Sequence, residues 1–260
     1  MVKRIKVGLK AWSLNRQYIK PARILFARGI FDFIELYVHS SSTAADCEAW
    51  RGVCPDTRLH APHSLDGFNP ARPEMFRKNC ELLKVVEGFR KALLPKSVVF
   101  HPGVDGKIEE VFRQFAAFRS LCPEMFEAAL VENKPTLGLK DEQCVGSSPA
   151  EIRLLIKNTG MGFCLDFGHA FCYAVEAGRD IKAVVKEFLE FDPVLFHVSD
   201  GIMASSRDSH LHLGAGDFDL KEVLGYVPDE GCVVIECPHD LKDRLDDFER
   251  DVEFLRKLVI

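Results

Sequence analysis

The chain of 260 residues is 47% hydrophobic, 28% charged and 10% aromatic, a balance that buries a sizeable core and excludes a disordered or fibrous polymer. Its net charge of -5 argues against a surface coated all over by nucleic acid, although a cleft holding cations can be locally positive on an acidic protein. No uncharged apolar stretch nears the roughly 20 residues of a membrane helix, and the opening MVKRIKVGLKAW alternates like a strand without a signal-peptide core, so a cytoplasmic protein with no membrane association is expected.

From the N-terminus, IKVGL (5–9) and FDFIELYV (31–38) read as strands, each followed by a weak helical signal. TRLHA (57–61) is followed by PEMFRKNCELLKVVEGFRKALL (73–94), and SVVFH (97–101) by IEEVFRQFAAFRSL (108–121), both with helical spacing. AALVEN (128–133) precedes the helix PAEIRLLIKN (149–158), and GFCLDF (162–167) precedes AVVKEFLEF (183–191). VLFHVSD (194–200) leads to another weak helix, and CVVIEC (232–237) to a closing helix over 240–259 that carries Leu241, Leu245, Phe248, Val252, Phe254, Leu255 and Leu258.

Strand and helix thus alternate eight times, and the strands are β-rich throughout, as strands buried on both faces of a parallel sheet must be. There is no GxGxxG, no GxxxxGK[ST], no linker and no shift of composition. The pattern predicts an α/β fold, a (β/α)8 TIM barrel forming a single domain over residues 1–260. The nine cysteines include no CxxC pair and several lie in apolar runs, which predicts reduced, structural thiols, Cys164 and Cys237 among them.

A barrel of this kind carries its site at the C-terminal ends of its strands. Those ends supply Glu35, His60 with His63 just beyond, His101, Glu132 with Asn133, Asp166 with His169, His197 with Asp200, and Glu236, while the loop RDSHLHLGAGD adds Asp208, His210 and His212. Of nine histidines, seven fall at these places, and only His39 and His239 lie a few residues further along. Imidazole and carboxylate are the ligands of zinc and, with more oxygen, of manganese or magnesium, and acidic groups in apolar strand ends are costly unless a cation compensates them. Weaker members are Glu35 (a core ion pair), His63 (a rim residue), Asp200 (a partner orienting a ligand) and His212 (facing away from His210). The glycines of HLGAGDFD suit either a phosphate cradle or, more simply, a turn before a helix near Phe218 capped by Asp217.

The motifs LHAP at His60, FHPG at His101, VEN at Glu132, LDFGH at Asp166 and His169, FHVSD at His197, RDSHLHLGAG at Asp208 and His210, and IECP at Glu236 resemble the xylose isomerase-like barrels. The resemblance is strongest to their endonuclease IV branch, the zinc-dependent apurinic/apyrimidinic endonucleases. It implies up to three zinc ions: Glu132 bridging two, His60 and His101 completing one, Asp166, His197 and Glu236 the other, and His169, Asp208 and His210 binding the third. Glu132 and Glu236 would be the catalytic carboxylates.

The same resemblance leaves two substrate classes open. One is DNA with an abasic site, or a smaller phosphoester. The other is a sugar or sugar phosphate isomerised or epimerised around one Mn2+ or Mg2+ held by Glu132, Asp166, His197 and Glu236, with Trp12, Phe167 and Phe171 walling the sugar. Where the endonucleases carry DNA-recognition loops the chain reads KAWSLNRQY and ELYVHSSS, and His63 stands where they have an aromatic residue.

Overall fold

The strands of the computed structural model, which describes residues 3–259, are β1 (Ile5–Trp12), β2 (Phe33–Tyr37), β3 (Thr57–His60), β4 (Val98–Phe100), β5 (Ala129–Glu132), β6 (Gly162–Asp166), β7 (Leu195–Val198) and β8 (Gly231–Ile235). Each pairs in parallel with the next and β8 closes on β1, giving the eight-stranded barrel. Outside it lie helices α1 (Ile19–Ala27), α2 (Ala44–Trp50), α3 (Phe76–Leu93), α4 (Ile108–Leu121), α5 (Pro123–Glu127), α6 (Pro149–Thr159), α7 (Phe167–Glu176), α8 (Ile181–Leu189), α9 (Leu220–Tyr226) and α10 (Asp246–Leu258).

The two-residue period of a strand sorts its side chains. Leu9, Ile34, Leu36, Leu59, Val98, Phe100, Val131, Phe163, Leu165, Phe196, Val198, Val233 and Ile235 point outward into the core shared with the helices. Phe33, Val99, Leu130, Cys164, Leu195 and Val234 form a second, separate cluster that plugs the barrel interior. Gly8 completes this layer because a Cβ there would stand 2.3 Å from the Phe33 ring. Below it, Arg58 lies over that ring, 3.7 Å from its centroid, and donates to the Cys232 sulfur at 3.1 Å. Two residues further along each strand the same inward direction falls on Lys10, Glu35, His60, His101, Glu132, Asp166, His197 and Glu236. A dry layer of apolar side chains is thus the floor on which a layer of ionisable ones stands.

The elements depart from expectation in several places. The closing helix begins only at Asp246, because residues 240–245 form a loop whose Asp240 and Leu241 amides donate to the Asp247 carboxylate. The expected helix at 183–191 spans Ile181–Leu189, started by Asp180, whose side chain accepts from the Ala183 amide. Helix α7, absent from the sequence reading, starts straight out of β6, since the Asp166 carboxylate caps it by accepting from His169 N at 2.7 Å. The cap of α9 is Asp219, accepting from Glu222 N, not Asp217, which accepts from Met203 N. All nine cysteines are free thiols, and among the described residues no helix is long and apolar enough to cross a membrane.

Candidate metal centre

Three groups of ligand-type side chains converge at the C-terminal mouth of the barrel: His60, His101 and Glu132; Glu132, Asp166, His197 and Glu236; and His169, Asp208 and His210. Within each group the donor atoms lie within 4.8 Å of one another. Glu132, 1% exposed, stands at the centre. Its Oε2 is 3.1 Å from Nε2 of both His60 and His101, and its Oε1 is 3.2 Å from Nδ1 of His169. Asp208 faces His169 at 3.3 Å and His210 at 2.5 Å.

The imidazoles are oriented by the hydrogen bonds on their other sides. Nδ1 of His60 donates to the Ala61 carbonyl at 2.7 Å, Nδ1 of His169 to the Asn133 carbonyl at 2.9 Å, and Nδ1 of His210 to the Glu236 carbonyl at 2.8 Å. His197 donates through Nε2 to Glu35 at 3.2 Å. In each case the outer nitrogen carries a proton and the other nitrogen is turned inward, the arrangement by which a protein orients a histidine toward a metal. At the centre, Nδ1 of His197 and Oε2 of Glu236 are 2.8 Å apart, both buried and without a hydrogen bond. Two acceptors facing each other at this distance repel unless a proton or a cation is shared between them.

Charge gives the same result. Glu35, Glu132, Asp166, Asp208 and Glu236 put five carboxylates at this layer, against the ammonium groups of Lys10 and Lys134. Burial works against charge on His169, but Asp166, then Asp208 and Glu132, raise its pKa to about 10. On half-buried His210 the same opposition holds, and Asp208 outweighs desolvation to raise it to about 9. Burial and the neighbouring carboxylates Asp208, Glu132 and Glu236 push Asp166 upward. The donor set of imidazole nitrogens and carboxylate oxygens fits divalent ions, and the excess of negative charge is what such ions would balance.

The weaker candidates separate cleanly. Glu35 is fully buried and held at a pKa of about 2, where burial would raise it but His197 and Lys10 lower it; it pairs with Lys10 at 2.5 Å and so is both a core ion pair and the group that orients His197. Asn133 clasps the end of β6, its amide donating to the Asp166 carbonyl and accepting from the Asp166 amide. His63 lies on the rim, stacked on His101 with ring centroids 5.8 Å apart, and burial with the nearby Lys134 charge lowers its pKa to about 4. His212 faces away, between Asp251 at 2.7 Å and Asp240 at 3.0 Å.

Among the described residues the Asp200 carboxylate makes no hydrogen bond to a candidate ligand side chain. It accepts from the amides of Gly201, Gly214 and Phe218 and thereby folds the loop after β7. That, with Asp217 N donating to Gly201 O and Ala215 N to His212 O, occupies the amides a phosphate cradle would need, so HLGAGDFD is a turn. Gly216 is required there because a Cβ would meet the Gly201 carbonyl oxygen at 2.1 Å.

A cavity of 690 Å³ opens over the three groups. Trp12, 44% exposed, lines it, but Phe167 and Phe171 do not: they are buried against Phe196 and Phe218, at 5.9 and 4.7 Å between centroids. One side of the mouth is roofed by the loop after β5, where Leu137 and Gln143 pair as an antiparallel bridge, and Arg207 ties this roof down by donating to the Gly138 carbonyl and pairing with Asp141. Lys10, Lys134 and Arg207 escaped the sequence reading. The alternation that selects Glu35 and His197 also points Lys10 inward, two residues beyond Gly8, and Lys134 directly follows the VEN motif.

Comparison with known proteins agrees with this architecture. Residues 26–258 match the family described as xylose isomerase-like TIM barrel. A protein of Shouchella clausii (strain KSM-K16) named probable endonuclease 4 is 24% identical over 224 residues, 76% of this chain and 74% of that protein. Endonuclease IV from Thermus thermophilus superposes with a TM-score of 0.73 at 21% identity, covering 97% of this chain and 99% of its own. A D-tagatose 3-epimerase-like protein superposes with a TM-score of 0.70 at 20% identity, covering 97% and 96%. Both superpositions establish a common fold, and the family match, spanning nearly the whole barrel, establishes descent: the chain belongs to the xylose isomerase-like TIM barrel family.

Proposed function

We propose that the chain hydrolyses phosphoesters with a cluster of up to three divalent ions, zinc being the ion that the resemblance to endonuclease IV implies. The observation that carries this reading is the third group: His169, Asp208 and His210 converge beside the other two groups, on the wall of one cavity. A single metal held by Glu132, Asp166, His197 and Glu236 does not need them as ligands. Bound divalent ions would activate water and stabilise charge on the attacking and departing oxygens.

The chain's own residues supply the rest. Glu132 turns Oε2 toward His60 and His101 and Oε1 toward His169, so one carboxylate links the first and third groups. Glu236 is 22% exposed at the cavity wall and is held by Lys10 at 3.1 Å, which places it to take a proton from the attacking water. The new bond joins the water oxygen to phosphorus, the bond from phosphorus to the ester oxygen breaks, and the proton taken up by Glu236 is returned, directly or through solvent, to the departing alcohol oxygen. The buried floor of Phe33, Val99, Leu130, Cys164, Leu195 and Val234 keeps the barrel interior dry beneath.

A second reading, isomerisation or epimerisation of a sugar or sugar phosphate, is favoured by one observation: Glu132, Asp166, His197 and Glu236 make a self-sufficient group for one Mn2+ or Mg2+, with two glutamates available to move protons. Elemental analysis of protein purified without chelator, beside a nicking assay on an abasic duplex and hydrolysis of small phosphoesters, separates the two. About three zinc ions per chain with phosphoester cleavage is the expected result, and cutting of the duplex would make abasic DNA the substrate. A single manganese or magnesium ion with every phosphoester intact would instead select the isomerase.

A further inference from the structure

Two basic side chains other than histidine line the cavity, and they differ in their partners. Arg207 is spent on Asp141 and the Gly138 carbonyl. Lys134 is half-buried, with its ammonium 3.5 Å from Nε2 of His169, and among the described residues no Asp or Glu oxygen comes within 4.0 Å of it. Lys10, deeper in the barrel, lies between Glu35 and Glu236 at 2.5 and 3.1 Å. The cavity therefore holds an ammonium partly withdrawn from water with no carboxylate in direct contact, next to the imidazole of His169 and sharing the cavity wall with His63. Such a group gains most from an anion brought by a ligand.

We propose that Lys134 binds the phosphate of a small phosphomonoester, which makes that class the substrate; this deepens the hydrolase reading and rests on it. Three observations favour a small monoester over a duplex. The volume of 690 Å³ is that of a site for one small molecule. The roof over residues 136–144, tied by Arg207, stands across one side of the mouth. Glu142 lines the cavity there with no Lys or Arg paired to it among the described residues, and an acidic group opposes the densely charged backbone of DNA, whereas a monoester carries its two charges on one group that passes inside. A cation bound by His169, Asp208 and His210 would repel the ammonium from His169 Nε2 and turn it toward the cavity, where the phosphate lies.

The test uses zinc-loaded wild type, Lys134→Met and Lys134→Arg. Calorimetry with inorganic phosphate as probe, metal content, and steady-state kinetics on 4-nitrophenyl phosphate, bis(4-nitrophenyl) phosphate and an abasic duplex are measured for each. Wild type is expected to bind phosphate, Lys134→Met to bind it about tenfold more weakly and Lys134→Arg within about threefold of wild type, with equal metal content in all three. On 4-nitrophenyl phosphate, KM should rise about tenfold in Lys134→Met while kcat changes far less. Phosphate binding that is absent from wild type or unaltered by Lys134→Met would overturn the proposal, as would turnover of the duplex but not of the monoester. A change of metal content in Lys134→Met would also overturn it, by making the lysine part of the metal site. Phosphate binding that depends on Lys134 without turnover of any ester would sink the hydrolase reading alone.

Discussion

Glu35 illustrates how much of this site is held from behind. The side chain belongs to none of the three groups, yet it accepts from Nε2 of His197 at 3.2 Å and pairs with Lys10 at 2.5 Å, and Lys10 in turn holds Glu236 at 3.1 Å. One carboxylate therefore fixes two members of the central group. Replacing it by glutamine keeps the shape but removes the charge that faces Lys10 and stabilises the N–H of His197. Glu35→Gln is expected to weaken metal binding about 10–100-fold, the usual effect of losing such a partner, read as retention against a chelator of known affinity. Unchanged retention would make Glu35 a core ion pair and nothing more. Lys10 is also why sequence reasoning left Glu35 weak: residues 25 positions apart meet only because β1 and β2 are in register, with Lys10 opposite Glu35.

At the scale of the strand, the rule is that every second residue enters the barrel, and the apolar floor and the ionisable layer are consecutive inward positions. This is why the strand-end residues were legible as a set: the sequence pattern needs only the strand direction and the period to place Glu132 above Leu130 and His197 above Leu195. Elements whose start depends on one side-chain contact were less legible. Helix α7 follows β6 without a loop because Asp166 caps it, and the same residue belongs to the metal group, so one carboxylate answers two demands that periodicity cannot separate. The Arg207 tie on the β5 roof depends on pairing across 69 positions and left no local mark. Gly8 tests the floor. A Cβ would fall 2.3 Å from the Phe33 ring, which is itself clamped by Arg58, so Gly8→Ala is expected to cost about 1–3 kcal/mol in urea unfolding. A midpoint equal to wild type would mean that the interior is not close-packed at this level.

For the whole molecule, the candidate metal groups tie together chain segments far apart in sequence: the ends of β3, β4, β5, β6, β7 and β8, the start of α7 and the loop after β7 all contribute to one cluster, and an ion held there would be bound by the fold and not by the unfolded chain. Stability should therefore follow free metal concentration, rising by about 2.7 kcal/mol when the ion is present at a hundred times its dissociation constant and falling when a chelator removes it. Thermal unfolding across a zinc series is the measurement, and a melting temperature indifferent to both zinc and chelator would contradict the reading of these groups as a metal centre. Asp208→Asn with His210→Asn sharpens it. These two residues lie on the loop after β7, outside the strands, so their loss leaves the floor and the central group intact. The double variant should bind one ion fewer per chain, keep most of the zinc-dependent rise in melting temperature, and lose phosphoester hydrolysis. Were hydrolysis to survive with one ion fewer, the third group would be dispensable, and the chemistry would have to be assigned to Glu132, Asp166, His197 and Glu236 alone, the set that a sugar isomerase shares.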